Sequence, residues 1–518
     1  MVLQRAPKRA MLWGFSAPAS QVHVRLDANA ALTAITNANG TWRLALPPTL
    51  ATAVAHIITI SNATMTTTLV DVLFGEVFLC GGQSNMAYSV SGMTNSTAVA
   101  ANADQYSHTN GIRIFTVGDN TTGERSRVPL EYFPSVEQGW VAASSSSVDD
   151  GQLFGAFSAV CWEMGRTIHN GLGGRIPVGL ISSNWPGTTV QAWTPDPVYR
   201  KCCALFPGQH GAMGCAPLGT QGNLFNEMIA PFAHGPMSLA GASWYQGESN
   251  TVANNATLPY NAGARFYACC FPAMITAWRA AFGVDNLFFG FVQLSTWCNP
   301  DQSGIAPMRG QLGVPTAEAG QMAAMGLANV AYATNADHGN GCGIHPPDKQ
   351  YPGERLGRAA LNLVYKQEDV EWQSPTYAGA AAVEVDDNAC TISVTVSLTG
   401  VGPAGLELIY PFNQAKLDEA HTTCEQLDIQ ANETGTCGWA AIEINGARWL
   451  NASVEVAVGG GGLILSAVMV GAGGAGQGGL DNVTATAYGY APIPMMNAYD
   501  AGNGLPVLPW NRAVKARF

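Results

Sequence analysis

The chain has 518 residues, with 24 Lys and Arg against 36 Asp and Glu, a net charge of −12, 12% charged residues and 47% hydrophobic ones. This balance can fill a large core, and it excludes both a disordered chain and a nucleic-acid binder that works by neutralising phosphates. The longest apolar runs, such as Leu463 to Gly471, fall short of the ~18 residues that span a bilayer.

In chain order, three regions emerge, within the two to four domains expected at ~100–200 residues each. Residues 1–70 read as a β-sandwich-like unit. Gln21 to Leu26 and Thr41 to Leu46 alternate polar and apolar residues, and Asn37-Ala38-Asn39-Gly40 suits a turn between strands. Residues 71–366 alternate strand-like and helix-like stretches. The strands are Glu76 to Cys80, Ile176 to Ile181 and Leu287 to Leu294. The helices are Phe157 to Leu172, Phe271 to Phe282 and Glu354 to Tyr365. Such alternation predicts an α/β fold with a largely parallel sheet, whose ligands sit at the carboxyl ends of strands. Residues 367–518 return to β, with Cys390 to Leu398, Ala440 to Leu450 and Ala485 to Ala491 as strands. The Gly-rich stretch Gly459 to Gly479 reads foremost as a mobile surface loop, with Leu463 to Leu465 as one buried strand the competing reading.

Twelve cysteines without a C-x-x-C pair, and eight Asn-x-Ser/Thr sequons at Asn39, Asn62, Asn95, Asn120, Asn255, Asn432, Asn451 and Asn482, favour an oxidising compartment. The first residues have no apolar signal-peptide core, which cuts against export; either the leader is not part of this sequence, and the protein is secreted, extracellular or lysosomal as the cysteines and sequons favour, or the protein is not exported.

Chemistry concentrates after the strands. Cys80-Gly81-Gly82-Gln83-Ser84-Asn85-Met86 places a serine at a Gly-rich strand-to-helix turn, where a nucleophile can be exposed beside backbone N–H groups. It is not the G-x-S-x-G elbow, because Met86 stands at the second Gly position. A Ser N-cap is the competing reading. Ser183-Asn184-Trp185-Pro186-Gly187 offers the Gly187 N–H. In Trp244-Tyr245-Gln246-Gly247-Glu248-Ser249-Asn250, Gln246 is a neutral donor and Glu248 can hold neighbouring groups. His345, in Cys342-Gly343-Ile344-His345-Pro346, precedes the last helix and can serve Ser84 as a base.

These motifs, in this order, resemble the sialate O-acetylesterases of the SGNH hydrolase superfamily. Asn226 with Met228-Ile229, and Asp348-Lys349-Gln350, extend the resemblance. It implies an SGNH-type three-layer α/β/α, flavodoxin-like catalytic domain at 71–366, flanked by the two β-rich regions. It implies a cofactor-free serine esterase without a metal, acting on an O-acetylated sialic acid or glycan. Ser84 would attack the acetyl carbonyl with His345 as base. The oxyanion would be held by the Ser84 and Gly187 N–H groups and by Gln246. Gln83, Asn85, Trp185, Asn226, Glu248 and Asn250 would support the site or the substrate. The acid expected two or three residues before the histidine is absent, since Gly343 and Cys342 stand there. Asp337 is the candidate for orienting His345, with a backbone carbonyl of the Cys342 loop as the alternative. Pro186, where the family has Gly, puts the Gly187 donor in question.

Three other readings stay open. Cys342-x-x-His345 and His421-x-x-Cys424 could mimic a zinc site. The chain could be a non-catalytic carbohydrate-binding relative, or an esterase of another acetylated polysaccharide, with Lys201 to Gly219 and Pro300 to Pro315 lining the pocket. Oligomeric state is not encoded in any motif.

Overall fold

A computed structural model of the chain describes all residues except 109, 119–125, 156, 207–221, 252–260, 298–303, 387–388, 421–439, 447, 470–482 and 515–518. His421, Cys424, residues 207–219 and 300–303 of the two segments proposed for the pocket, and the sequon asparagines Asn120, Asn255, Asn432 and Asn482 fall outside the described residues. Asn39 and Asn95 are exposed sequon residues, while Asn62 and Asn451 are half-buried.

The centre is a large mixed sheet. Its main path runs Val330–Thr334, Phe288–Gln293, Gly241–Tyr245, Thr66–Gly82, Val178–Asn184, Ile112–Val117 and Val136–Ala142. The first six strands are mutually parallel, and the last is an antiparallel edge. The inner strands are buried along their length, as sheets covered on both faces require. In Phe288–Gln293, Phe289 and Phe291 pack against Phe271 of the helix Ala262–Phe282. Gly290, one residue between them, faces Leu356 of the helix Gln350–Tyr365. Period-two alternation thus puts these two helices on opposite faces. The helix Ala159–Gly171 packs beside Gln350–Tyr365.

The strand Thr66–Gly82 is longer than the segment Glu76 to Cys80 read from sequence. Its first half pairs with His56–Ser61 of the N-terminal β structure, and its second half is the middle of the parallel sheet. One strand therefore belongs to both structures and crosses the expected boundary near residue 70. The Val2–Gln4 strand also pairs with it in parallel.

The chain after residue 375 forms a seven-stranded antiparallel sheet with its own apolar core of Ile392, Val394, Val396, Leu463, Leu465 and Trp510. Ala440 to Leu450, expected as one strand, is a hairpin of Ala440–Ile444 and Arg448–Val456. Asn445 and Gly446 both have positive φ (56° and 69°), the conformation of a tight hairpin turn. Strands Met11–Phe15, Ile112–Val117, Val136–Ala142, Val330–Thr334 and Thr376–Asp386 add to those read from sequence.

Candidate active site

Three adjacent strands of the sheet end together. Ser84 follows Thr66–Gly82, Gly187 follows Val178–Asn184 on one side, and Gln246 follows Gly241–Tyr245 on the other. From Thr66–Gly82 the chain builds outward in both directions, so this is the switch point where ligands of open α/β sheets bind. His345 arrives from the far edge, on the loop between Val330–Thr334 and Gln350–Tyr365.

The turn into Ser84 needs glycine. Gly82 has φ +146°, and a Cβ there would lie 2.2 Å from the Tyr245 carbonyl oxygen. Ser84 then opens the short helix Ser84–Ala87, whose Met86 and Ala87 N–H groups donate to the Gln83 carbonyl at 2.9 Å. The first N–H groups of a helix have no intrahelical acceptor, and the Ser84 N–H donates to no described protein group. The same holds for the Gly187 N–H. Gly187 has φ +70°, with open space where a Cβ would stand. Pro186 leaves this loop in place: the Trp185 N–H donates to the Gly82 carbonyl at 3.0 Å and Thr188 Oγ1 to the Trp185 carbonyl at 2.7 Å.

Ser84 Oγ and His345 Nε2 lie 2.8 Å apart, hydrogen-bond distance. Ser84 is 6% exposed. The imidazole is half-buried, with the Phe154 ring edge-on at 5.3 Å and the Tyr88 ring at 6.3 Å. Burial, and then the Lys349 ammonium, push the His345 pKa down to about 4. The ring is thus in its basic form at mildly acidic as well as neutral pH.

The other motif residues form a buried hydrogen-bonded network. Gln246 Nε2 lies within bonding distance of Gln83 Oε1 (3.0 Å), the Thr188 carbonyl (3.1 Å) and Asn250 Oδ1 (2.8 Å). Asn250 Oδ1 also accepts from the Val190 N–H, and Asn250 Nδ2 donates to Gln191 Oε1. Gln246 and Asn250 therefore pin the loop that carries Gly187. Asn85 Nδ2 donates to Glu248 Oε1 (2.5 Å) and to the Ile344 carbonyl (2.9 Å), and Lys349 Nζ donates to Asn85 Oδ1 (2.5 Å). Burial raises the Glu248 pKa and pushes that of Lys349 down to about 7. Lys349, to which the sequence assigns no role at the site, lies in the run Asp348-Lys349-Gln350 that extends the resemblance.

Two expected residues stand apart. Asn226, in the one-turn π-helix Phe225–Ile229, donates to the Ser126 carbonyl at 3.1 Å and is hydrogen-bonded to neither Ser84 nor His345. Asp337 does not orient His345. Its two carboxylate oxygens are each 2.7 Å from a nitrogen of the Arg355 guanidinium, and Oδ2 lies 2.9 Å from His338 Nδ1 and 3.2 Å from the Tyr499 hydroxyl. Arg355 lies on the helix Gln350–Tyr365 and also donates to the Thr334 carbonyl at 2.7 Å, so the pair sits where the edge strand Val330–Thr334 ends, and the carboxylate is spent on Arg355 although it shares a loop with His345. Among the described residues no carboxylate is within ion-pair distance of His345. Among them, too, no cluster of three or more His, Cys, Asp or Glu could hold a metal, and Cys342 of the zinc alternative is disulfide-bonded.

The family model described as carbohydrate esterase, sialic acid-specific acetylesterase matches residues 74–338. His345 lies just beyond that span. The sialate O-acetylesterase of Pongo abelii is 32% identical over 396 residues, 72% of this chain and 71% of that protein. The sialate O-acetylesterase of Homo sapiens is 31% identical over the same shares. Among solved structures, a carbohydrate acetylesterase from Xanthomonas citri shares the fold, with a TM-score of 0.71 and 23% identity across 99% of this chain and 96% of that one. The chain belongs to the sialic acid-specific acetylesterase family of carbohydrate esterases.

Proposed function

We propose that this chain removes O-acetyl groups from sialic acids through an acetyl-serine intermediate. The observation that carries the reading is the 2.8 Å contact between Ser84 Oγ and His345 Nε2 at the carboxyl end of the central strand. Ser84 Oγ attacks the acetyl carbonyl carbon as His345 Nε2 takes its proton. The negative charge on the carbonyl oxygen is met by the Ser84 and Gly187 N–H groups. Gln246 holds the Gly187 loop through Thr188 and can turn one amide hydrogen to the oxyanion. Each such donor contributes about 3 kcal/mol to the transition state. His345 then gives the proton to the departing sugar oxygen. Water, deprotonated by the same imidazole, releases acetate. Gln83, Asn85, Trp185, Glu248 and Asn250 support this arrangement, and Asn226 shapes the neighbouring loop.

The catalytic unit is read as the SGNH three-layer arrangement over residues 71–366, with a β-rich domain at 1–70 that shares a strand with it and one at 367–518 that makes side-chain contacts with it. No helix among the described residues is long and apolar enough to cross a membrane. The disulfides Cys80–Cys161 and Cys202–Cys269 support an extracellular or lysosomal setting.

Acetate release from 9-O-acetyl-N-acetylneuraminic acid, acetylated xylan and p-nitrophenyl acetate tests the reading. Preference for the sialate is expected. Turnover of xylan without turnover of the sialate refutes the substrate and keeps the mechanism; no turnover of any acetyl ester refutes both.

A further inference from the structure

A general-base histidine is ordinarily oriented by a carboxylate or carbonyl at its second ring nitrogen. Here the ring makes its described hydrogen bond to Ser84 alone. What fixes the histidine segment is the preceding carbonyl: Ile344 C=O accepts from Asn85 Nδ2. Asn85 follows Ser84 directly, so one amide ties the base to the turn of the nucleophile.

The orientation of that amide is not free. Its Oδ1 meets Lys349 Nζ, which can only donate, and its Nδ2 meets the Ile344 carbonyl, which can only accept. Turning the amide over would set donor against donor and acceptor against acceptor. Lys349 is fully buried, and its ammonium lies 4.5 Å from the centre of the Tyr88 ring and 5.3 Å from that of Tyr245. Tyr88 is also one of the two rings beside His345, with Phe154 the nearer.

We propose that Lys349 is a positioning residue for His345: through Asn85 its ammonium fixes the Ile344 carbonyl and with it the histidine segment. After burial, the charge of Lys349 also favours the unprotonated imidazole that a general base requires. This deepens the esterase reading above and rests on it. The titratable and charged groups around Lys349 are Glu248, Asp348, Tyr88 and Tyr245; those around His345 are Lys349 and Tyr88. Glu248 and Asp348 favour the charged ammonium against the cost of burial, and its value of about 7 leaves it charged at the acidic pH where His345 would otherwise take up a proton. An imidazole at the ordinary value of ~6.5 is only about 3% neutral near pH 5. Lowering it keeps the base available in acid, at the cost of a weaker pull on the Ser84 proton.

The test is the pH profile of kcat/KM for p-nitrophenyl acetate in the wild type, Lys349→Met and Lys349→Gln. Removing the cation is expected to move the acid limb upward by about one pH unit and to lower plateau kcat by about tenfold, with KM little changed. A lysine that only filled space would lower activity without moving the limb, and an unmoved limb in a folded variant overturns the proposal. If neither variant folds, NMR titration of the wild-type ring decides, with the signal assigned by its loss in His345→Asn. A ring neutral near pH 5 whose signal shows a second inflection where the buried lysine loses its proton supports the proposal, and one half-protonated at its ordinary ~6.5, or one without that second inflection, overturns it. The titration reads the resting protein, so it separates this proposal from the esterase reading, whose failure would show as no acetate release by the wild type.

Discussion

Asp337 and Arg355 form a two-pronged ion pair with both side chains almost fully buried. Burial would raise the Asp337 pKa, but the Arg355 guanidinium and then His338 outweigh it and hold the carboxylate well below its usual range. A depressed folded-state value contributes stability that is complete above the unfolded value of ~3.9 and is lost as pH falls below it. Asp337→Asn leaves a buried guanidinium without its counter-charge, so a loss of about 3–5 kcal/mol is expected at neutral pH. Chemical denaturation at pH 7 and pH 3 checks this, with a smaller loss at pH 3. kcat of the remaining folded enzyme is expected to change little, since the carboxylate does not touch His345. A large fall in kcat at unchanged stability would return Asp337 to the catalytic group. Ser84, Gln246 and His345 were legible in the sequence because each follows a strand-like or Gly-rich segment within a compact motif. The partner of Asp337 was not, because residue 355 meets it only after the edge strand and final helix pack. The tie of Lys349 to the site was hidden for the same reason: its partner Asn85 is 264 residues away.

Between strands, the site depends on how neighbouring loops are tied. Gln246 reaches across to Gln83 on one loop and Thr188 on the other, so it fixes two of the three strand ends at once. Gln246→Ala is expected to lower kcat by about 10²–10³ with KM altered much less, measured by steady-state acetate release. A rise in KM alone would make it a substrate contact instead. Beneath these loops Trp244 Nε1 donates to the Tyr267 hydroxyl, which donates to the Gln246 carbonyl. Tyr267→Phe leaves that buried indole N–H unpaired, and a loss of about 1–3 kcal/mol in denaturation is expected. The parallel sheet was readable from its short apolar strands. Val330–Thr334 was not, because Ala331 and Ala333 dilute its apolar run, nor was the edge strand Val136–Ala142, with its exposed Glu137 and polar Gln138. The missed hairpin at Asn445-Gly446 carried its turn in plain view, inside a segment whose alternation otherwise reads as continuous.

Across the molecule, the two β-rich structures are built into the catalytic unit. The N-terminal one shares the strand Thr66–Gly82, and Gln4 and Arg5 bond Glu76 on it. The C-terminal one reaches the histidine side: Asn413 donates to the Ala336 and Pro494 carbonyls and accepts from the Gly339 N–H, and Arg309 donates to the carbonyls of Leu294, Ser295 and Ala491. Strand sharing and such long-range bonds cannot be read from composition, which marked only the changes in pattern near residues 70 and 367. Cys80, four residues before Ser84, is bonded to Cys161 on the helix Ala159–Gly171, closing a loop of 81 residues. Replacing both by Ala is expected to cost about 2–4 kcal/mol, seen as a lower denaturation midpoint, and an unchanged midpoint would contradict this. The proposed chemistry stands on the Ser84 hydroxyl. Acetate release from 9-O-acetyl-N-acetylneuraminic acid, compared between the wild type and a Ser84→Ala variant with an unaltered melting transition, addresses it directly. The account predicts steady release by the wild type and a loss of at least about a thousandfold in the variant; release by Ser84→Ala at a rate near the wild type would contradict it.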